Sequence, residues 1–155
     1  AWYLRNTYLE NRLVKPGQAV VCGQKIDLRK VALPVYIYGS REDHIVPIAG
    51  AYASTQHLPG SKRFVMGASG HIAGVINPPE KNKRSYWTSA GASSNVDAGD
   101  WLAGASEHPG SWWPHWVEWL ADFGGKQRKA RVRLGNVTYK PGEPAPGRYV
   151  RESAK

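Results

Sequence analysis

Between residues 34 and 74, blocks of apolar and polar positions predict a strand, a helix and a second strand. Residues 35–38 are a short run of β-branched and aromatic side chains, which is typical of a buried strand. After Pro47, apolar and small side chains recur at helical spacing, at Ile48, Ala51, Tyr52 and Thr55. Residues 63–66 form a second apolar run. The pattern therefore predicts a β–α–β unit.

The flanking segments are less regular. Residues 1–15 predict an amphipathic helix that ends at Pro16. Residues 18–33 predict a short strand or an extended return, with Asp27 capping a brief turn. Residues 77–100 combine a basic run with glycine and serine, so we expect an exposed loop there.

A second helix is predicted after Ser111, which suits its N-cap, and before Gly124. Its apolar side chains recur at steps of three and four, at Trp112, Trp116, Trp119, Leu120 and Phe123. The first interpretation is a helix packed on the sheet, since aromatic stripes usually belong to a core. The alternative is an aromatic binding surface.

The order of the first unit brings two polar residues together. Strands joined through a helix usually lie parallel with a right-handed crossover, so their carboxyl ends share one edge of the sheet. Asp43 follows the first strand and His71 follows the second. Neighbouring strands are about 4.8 Å apart, so the two side chains can meet. An aspartate that orients a histidine, which in turn activates a nucleophile, is the arrangement of acyl-transfer sites.

The nucleophile itself is missing from the sequence. In the α/β-hydrolase order it precedes the acid and the histidine. The only cysteine, Cys22, lies outside any glycine-flanked elbow, and we expect it to be a buried thiol. Ser69 also lacks the elbow spacing, and we interpret it as part of a turn. Because the chain begins without methionine, we expect it to be a carboxyl-terminal piece of a longer protein.

His44 follows the predicted acid and leaves two alternatives open. It lines the substrate channel, or it only bonds a backbone carbonyl. A metal site formed by Asp43, His44 and His71 is disfavoured, because the sequence has no HxH or HExxH spacing and no evident further ligand. We therefore predict no metal.

Charge and composition limit the partners and the cellular location that the chain can have. The net charge of +9 is uneven: residues 126–155 hold nine Lys and Arg against two Glu, and the first 125 residues hold twelve against ten. The dense run at 126–133 is either a solvated connector or an anion-binding segment. It lacks the interleaved aromatics of a nucleic-acid platform, so no nucleic acid is expected. One cysteine suits a reducing cytosol, and no apolar run approaches the roughly 18 residues of a membrane span.

Several motifs resemble those of class I poly(3-hydroxyalkanoate) synthases, the polyhydroxybutyrate polymerases. They are YGSREDHIVP at 38–47, GASGHIAGVINPP at 67–79, WYLRNTYLEN at 2–11, GSWWP at 110–114 and PAPGRYV at 144–150. The resemblance implies the carboxyl-terminal part of an α/β-hydrolase fold. It assigns residues 1–33 to the end of a cap region and the return to the sheet, 34–125 to the catalytic core and 126–155 to a basic tail.

The resemblance also implies an acyltransferase that polymerises 3-hydroxyacyl-CoA and releases CoA. Asp43 and His71 are then catalytic, with a cysteine nucleophile upstream, and His44 is a candidate for substrate binding. No cofactor is implied, since CoA belongs to the substrate. The family further implies a cytoplasmic homodimer that holds the growing polyester and attaches to polymer granules. The isolated chain is expected to be inactive.

Two other classes of function remain open. One is an esterase or depolymerase that shares the Asp43–His71 pair, and the other is a non-enzymatic basic module that binds an anion through residues 126–133. Within the synthase interpretation, Asp43 either orients His71 or deprotonates the 3-hydroxyl of the incoming unit.

Overall fold

The helices and strands of the chain were located in a computed structural model, which describes residues 1–90 and 96–153. In those ranges the strands are β1 (Val20–Val21), β2 (Gln24–Lys25), β3 (Val35–Ser40), β4 (Lys62–Gly67), β5 (Ser85–Thr88) and β6 (Ser106–Pro109). The helices are α1 (Trp2–Leu4), α2 (Ile48–His57), α3 (Ala98–Ala103) and α4 (Trp113–Gly124). The mixture of strands and helices confirms the α/β class.

Four strands form the main sheet, in the order β3-β4-β5-β6. Strands β3 and β4 are parallel and are joined through α2, which confirms the predicted β–α–β unit. Strands β5 and β6 continue the sheet in antiparallel fashion. The parallel register pairs Ser40 with Gly67, so β3 and β4 end side by side.

One face of the sheet packs on α2 and α3. Phe64 and Met66 alternate with Val65 along β4, so both point to this face, where Tyr52 of α2 and Trp101 of α3 meet them. Phe64 makes edge-to-face contacts with Tyr52 and Trp101, with ring centroids 4.9 and 4.8 Å apart. Their side chains are at most 4% exposed, so this cluster is the core.

The opposite face of the sheet packs on α4. Tyr36 and Tyr38 alternate with Ile37 on β3 and therefore face away from the core cluster. Tyr38 stacks on Trp112, with ring centroids 4.4 Å apart, and Tyr36 contacts Trp119 at 5.3 Å. The predicted packing of this helix on the sheet is thereby confirmed for Trp112 and Trp119. Trp116, Leu120 and Phe123, which were predicted on the same face, are exposed instead.

The predicted loop at 77–100 is partly wrong. Residues 85–88 form β5, an interior strand of the sheet that pairs with both β4 and β6. A run of four residues carries too little periodicity to announce a strand by itself, and its hydrogen bonds are supplied by segments distant in sequence. Asp97 then caps α3 by accepting bonds from the backbone N–H groups of Gly99 and Asp100. Residues 91–95 of the predicted loop lie outside the described residues.

The amino-terminal segment also departs from prediction. Instead of one helix to residue 15, α1 continues as a π-helical turn, Arg5–Leu9, and the left-handed Asn11 (φ 44°) interrupts it before a 3₁₀ turn at Arg12–Val14. Several apolar side chains of this segment are exposed, among them Tyr8 and Leu9.

Cys22 was predicted to be buried, and that prediction is wrong. It is exposed in the two-residue turn between β1 and β2. Cys22 and Gly23 both have positive φ, 48° and 76°, as the tight turn of a two-residue hairpin requires. Turn geometry therefore places the thiol on the surface. Asp27, in contrast, caps its turn as predicted, by accepting a bond from the N–H of Arg29.

The chain divides into two compact units, Ala1–Asp122 and Phe123–Lys155. The second unit is exposed at nearly all of its described residues and contains a 3₁₀ turn at Tyr149–Arg151. Within residues 1–90 and 96–153, no helix is both long enough and apolar enough to cross a bilayer.

Candidate active site

Asp43 is held in the turn that follows β3. Its carboxylate oxygen Oδ1 accepts bonds from the backbone N–H groups of Ile45 and Val46, both at 2.9 Å. The other oxygen, Oδ2, lies 2.8 Å from Nδ1 of His71. The Asp43 side chain is only 8% exposed. Both oxygens are therefore engaged, and the structure brings together the two residues that the sequence placed at one edge of the sheet.

His71 is presented by the turn after β4. Ser69 adopts φ 75°, in the left-handed region, which confirms its interpretation as a turn residue. Its carbonyl accepts a bond from the N–H of Glu42 at 3.0 Å, and the Gly67 carbonyl accepts one from Arg41 at 2.8 Å. The two loops that carry the acid and the histidine are thus bonded backbone to backbone.

Gly74 lets the histidine loop approach β3. A Cβ at this position would lie 2.5 Å from the Ser40 hydroxyl and 2.7 Å from the Ala68 carbonyl oxygen. The N–H of Gly74 donates to the carbonyl of Gly70 at 2.9 Å, which closes a helical turn around His71. A larger residue at position 74 would push this turn away from the sheet edge.

The surroundings of Asp43 keep it ionised. Hydrogen bonds from the backbone N–H of Val46, from the His71 side chain and from the N–H of Ile45 lower the pKa of Asp43 from its ordinary 3.8 to about 2. An ionised carboxylate can only accept, so Nδ1 of His71 is the donor in this pair. In the neutral form of the imidazole, the other ring nitrogen, Nε2, carries the lone pair that can accept a proton.

The pair borders a depression of about 170 Å³. It is lined by Tyr38, Gly39, Ser40, Asp43, Val46, Ala51, His71 and Val75. Sequence reasoning missed the hydroxyls of Tyr38 and Ser40, which lie 3.2 Å apart. Burial is the main cause that raises the pKa of Tyr38, so its phenol stays protonated. Positions 38 and 40 lie on the same face of β3, which ends shortly before Asp43. This alternate spacing was the sequence signal that could have placed both hydroxyls beside the acid.

His44 lies on the surface and does not line the depression. Its two predicted roles, in substrate binding and in bonding the backbone, stay predictions. Across the part of the chain that the structure describes, no group of three or more His, Cys, Asp or Glu side chains could hold a metal ion.

A larger depression, about 280 Å³, lies on the α4 side of the sheet and is lined by Arg63, His115, Glu118, Trp119 and Asp122. His115 faces the phenol of Tyr36, with Nδ1 and the hydroxyl 2.9 Å apart. Burial is the main cause that lowers the pKa of His115. The carboxylates that line this larger depression, Glu118 and Asp122, form no bond to His115 like the one between Asp43 and His71. The smaller depression beside Asp43 and His71 is therefore the candidate active site.

The chain is similar to several curated poly(3-hydroxyalkanoate) polymerases. It is 58% identical over 153 residues to the poly(3-hydroxyalkanoate) polymerase subunit PhaC of Cupriavidus necator, a match of 99% of this chain and 26% of that protein. It is 42% identical to the PhaC subunit of Rhizobium etli (98% of this chain, 23% of that protein). It is also 42% identical to the polymerase of Methylorubrum extorquens (99% and 25%).

These matches cover only part of each relative. The chain spans about a quarter of the length of the curated relatives it matches. No family model matches the chain. The resemblance seen in its motifs is nevertheless confirmed: along almost its whole length, the chain is related to the poly(3-hydroxyalkanoate) polymerases.

Proposed function

We propose that this chain is the carboxyl-terminal part of an α/β-hydrolase catalytic domain, and that its parent enzyme polymerises 3-hydroxyacyl-CoA into polyester with release of CoA. The observation that carries the proposal is the Asp43–His71 pair, 2.8 Å apart beside a depression at the carboxyl edge of the parallel strands. The names of the relatives supply the class of polymer, and the resemblance of the motifs implies the CoA thioester as substrate.

In this proposal a cysteine upstream of the chain is the nucleophile. Its thiol proton passes to Nε2 of His71, and the thiolate attacks the carbonyl carbon of the CoA thioester. The tetrahedral intermediate collapses, the C–S bond to CoA breaks, and the proton on His71 neutralises the departing sulfur. The acyl group is left on the enzyme thiol. A thiolate suits both halves of this exchange, because it attacks thioesters well and also leaves well.

Chain growth needs a second transfer. The 3-hydroxyl of one acyl unit attacks the thioester carbonyl carbon of the other, and a base takes the hydroxyl proton. The C–S bond then breaks and the released thiolate takes that proton from the base, so an ester and a free thiol replace a thioester and a hydroxyl. Asp43 and His71 are the two candidates for that base. The engagement of both Asp43 oxygens and the pKa of about 2 favour an orienting role for Asp43, because so weak a base removes a hydroxyl proton poorly.

The remaining assignments follow from the same proposal. CoA enters as part of the substrate, so no further cofactor is needed. His44, exposed one residue after the acid, is a candidate contact for the substrate. The parent enzyme would act as a cytoplasmic homodimer at the surface of polymer granules.

The test uses the full-length parent with 3-hydroxybutyryl-CoA, following free CoA and polymer in parallel. We expect both to appear with the wild type and both to collapse in His71→Ala. His57→Ala, at the end of α2, is the matched control and should retain both signals. Release of CoA with only free 3-hydroxybutyrate would identify a thioesterase or hydrolase instead and would refute the polymerase proposal.

A further inference from the structure

The motif at 110–114 has no part in the chemistry above, yet the structure places it against the histidine loop. It forms the start of α4, where the Ser111 hydroxyl accepts a bond from the N–H of Trp113 at 3.1 Å. Gly110 is tied to the segment after the histidine loop, because its N–H donates to the carbonyl of Arg84 at 2.7 Å. Two hydrogen bonds therefore hold the start of α4, residues 110–113, in place, and we call this segment the platform.

Trp113 reaches from this platform to the loop that carries His71. Its indole Nε1–H donates to the carbonyl oxygen of Val75 at 3.0 Å, across 38 positions of sequence. Val75 lies four residues after His71 and lines the same depression. The carbonyl that Trp113 holds thus belongs to the short helical turn that presents the imidazole.

A second bond ties the end of that loop to the same platform. Asn77 is 2% exposed, and its Nδ2 donates to the carbonyl of Lys83 at 2.9 Å and more weakly to that of Gly110 at 3.4 Å. Asn77 fixes where the loop ends. Trp113 acts closer to the imidazole, on the turn itself.

The imidazole needs such support because it is open to solvent on one side. The His71 side chain is 42% exposed, and its bond to Asp43 fixes the ring only if the backbone under it stays in place. Exposed loops are more mobile than the elements they connect. A displacement of the base by about 1 Å can cost on the order of 100-fold in rate, so a bond that holds the turn has leverage on catalysis.

We propose that Trp113 is a positioning residue, which holds the His71 turn through the Val75 carbonyl so that the imidazole keeps its bond to Asp43. The catalytic part of this inference rests on the proposed function. The structural part concerns only the His71–Asp43 bond, and it can be measured without turnover.

The test replaces Trp113 with Phe in the full-length parent, which keeps an aromatic ring and removes the N–H donor. We expect kcat for CoA release to fall about tenfold with KM within twofold, since Trp113 does not line the depression beside His71. The Nδ1-bound proton of His71, observed by NMR with labelled histidine, should give a signal in the wild type and lose it to solvent exchange in the variant.

Trp116→Phe is the matched control, because Trp116 lies one turn along α4 and packs against Trp112. It should keep kcat and the His71 signal. If Trp113→Phe fails to fold, β-(3-benzothienyl)alanine at position 113 keeps the two-ring shape and lacks only the N–H. Wild-type kcat and an intact His71 signal in whichever variant folds would overturn the inference. A wild type that releases no CoA would refute the proposed function instead, and the NMR comparison would still decide the role of Trp113.

Discussion

The phenol of Tyr38 occupies the space beside Gly67 where a side chain at that position would have to begin. Tyr38 is on β3 and Gly67 ends β4, two residues beyond the register partner of Tyr38. Because Gly67 has no Cβ, the Tyr38 phenol can lie over the end of β4. Its hydroxyl is then 3.2 Å from the hydroxyl of Ser40. The polar wall of the depression therefore depends on a glycine in the neighbouring strand.

Gly67→Ala should destabilise the parent enzyme by about 1–3 kcal/mol, because the new methyl group overlaps the ring of Tyr38 and either the ring or the strand must move. The displacement also disturbs the depression, so we expect polymerisation to slow. Urea unfolding together with an assay of CoA release measures both effects.

The control for this variant is Gly50→Ala, on the α2 helix. A Cβ at position 50 meets no atom within 4 Å, so the substitution should be neutral or stabilise by about 0.5–1 kcal/mol through helix propensity. Equal unfolding midpoints for the two variants would contradict the proposed overlap with Tyr38.

Asp43→Asn should slow acylation of the enzyme in a single turnover by about 1,000-fold or more, because an amide cannot stabilise the imidazolium as a carboxylate does. Rapid quench with radiolabelled 3-hydroxybutyryl-CoA measures this step apart from chain growth. Glu42→Gln, an exposed neighbour in the same turn, is the charge-matched control and should acylate normally. Normal acylation followed by failed elongation in Asp43→Asn would instead favour Asp43 as the base on the 3-hydroxyl.

The low pKa of Asp43 predicts an acid-dependent contribution to stability. Because its folded pKa, about 2, lies below the ordinary 3.8, the folded state binds this proton less tightly than the unfolded state. The contribution is complete above about pH 4 and is lost as the pH falls from 3.8 through about 2. The difference in unfolding midpoint between the wild type and Asp43→Asn should therefore shrink over that window. A difference that stays constant down to pH 2 would mean that the carboxylate has no such bonds.

The hydroxyls of Tyr38 and Ser40 should behave as a coupled pair. Ser40 is 2% exposed, so Tyr38→Phe leaves its buried hydroxyl without this partner and should cost about 1–2 kcal/mol. Once that partner is gone, adding Ser40→Ala should cost less than Ser40→Ala does in the wild type. A double-mutant cycle by urea unfolding measures the coupling. Strict additivity would show that the 3.2 Å contact carries no energy.

The Asp43–His71 contact was predictable, because a strand, a helix and a strand in sequence dictate where two strand ends lie. The hydrogen bond by which Ser111 caps the start of α4 was predictable too, since it joins residues only two positions apart. Strand β5 was not, because four residues with polar and aromatic side chains become a strand only when β4 and β6 supply partners on both sides.

By itself, then, the sequence determined the β–α–β unit, the helix α4 and the meeting of Asp43 with His71, since each follows from neighbours within about 30 positions. Only the tertiary structure decided that the Tyr38 phenol fits over Gly67, that Trp113 bonds the Val75 carbonyl and that Cys22 is exposed. The first two join side chains to distant backbone, and the third follows from a hairpin that exists only once its two strands pair. Periodicity reports which face a residue occupies, whereas packing and long-range hydrogen bonds decide what that face meets.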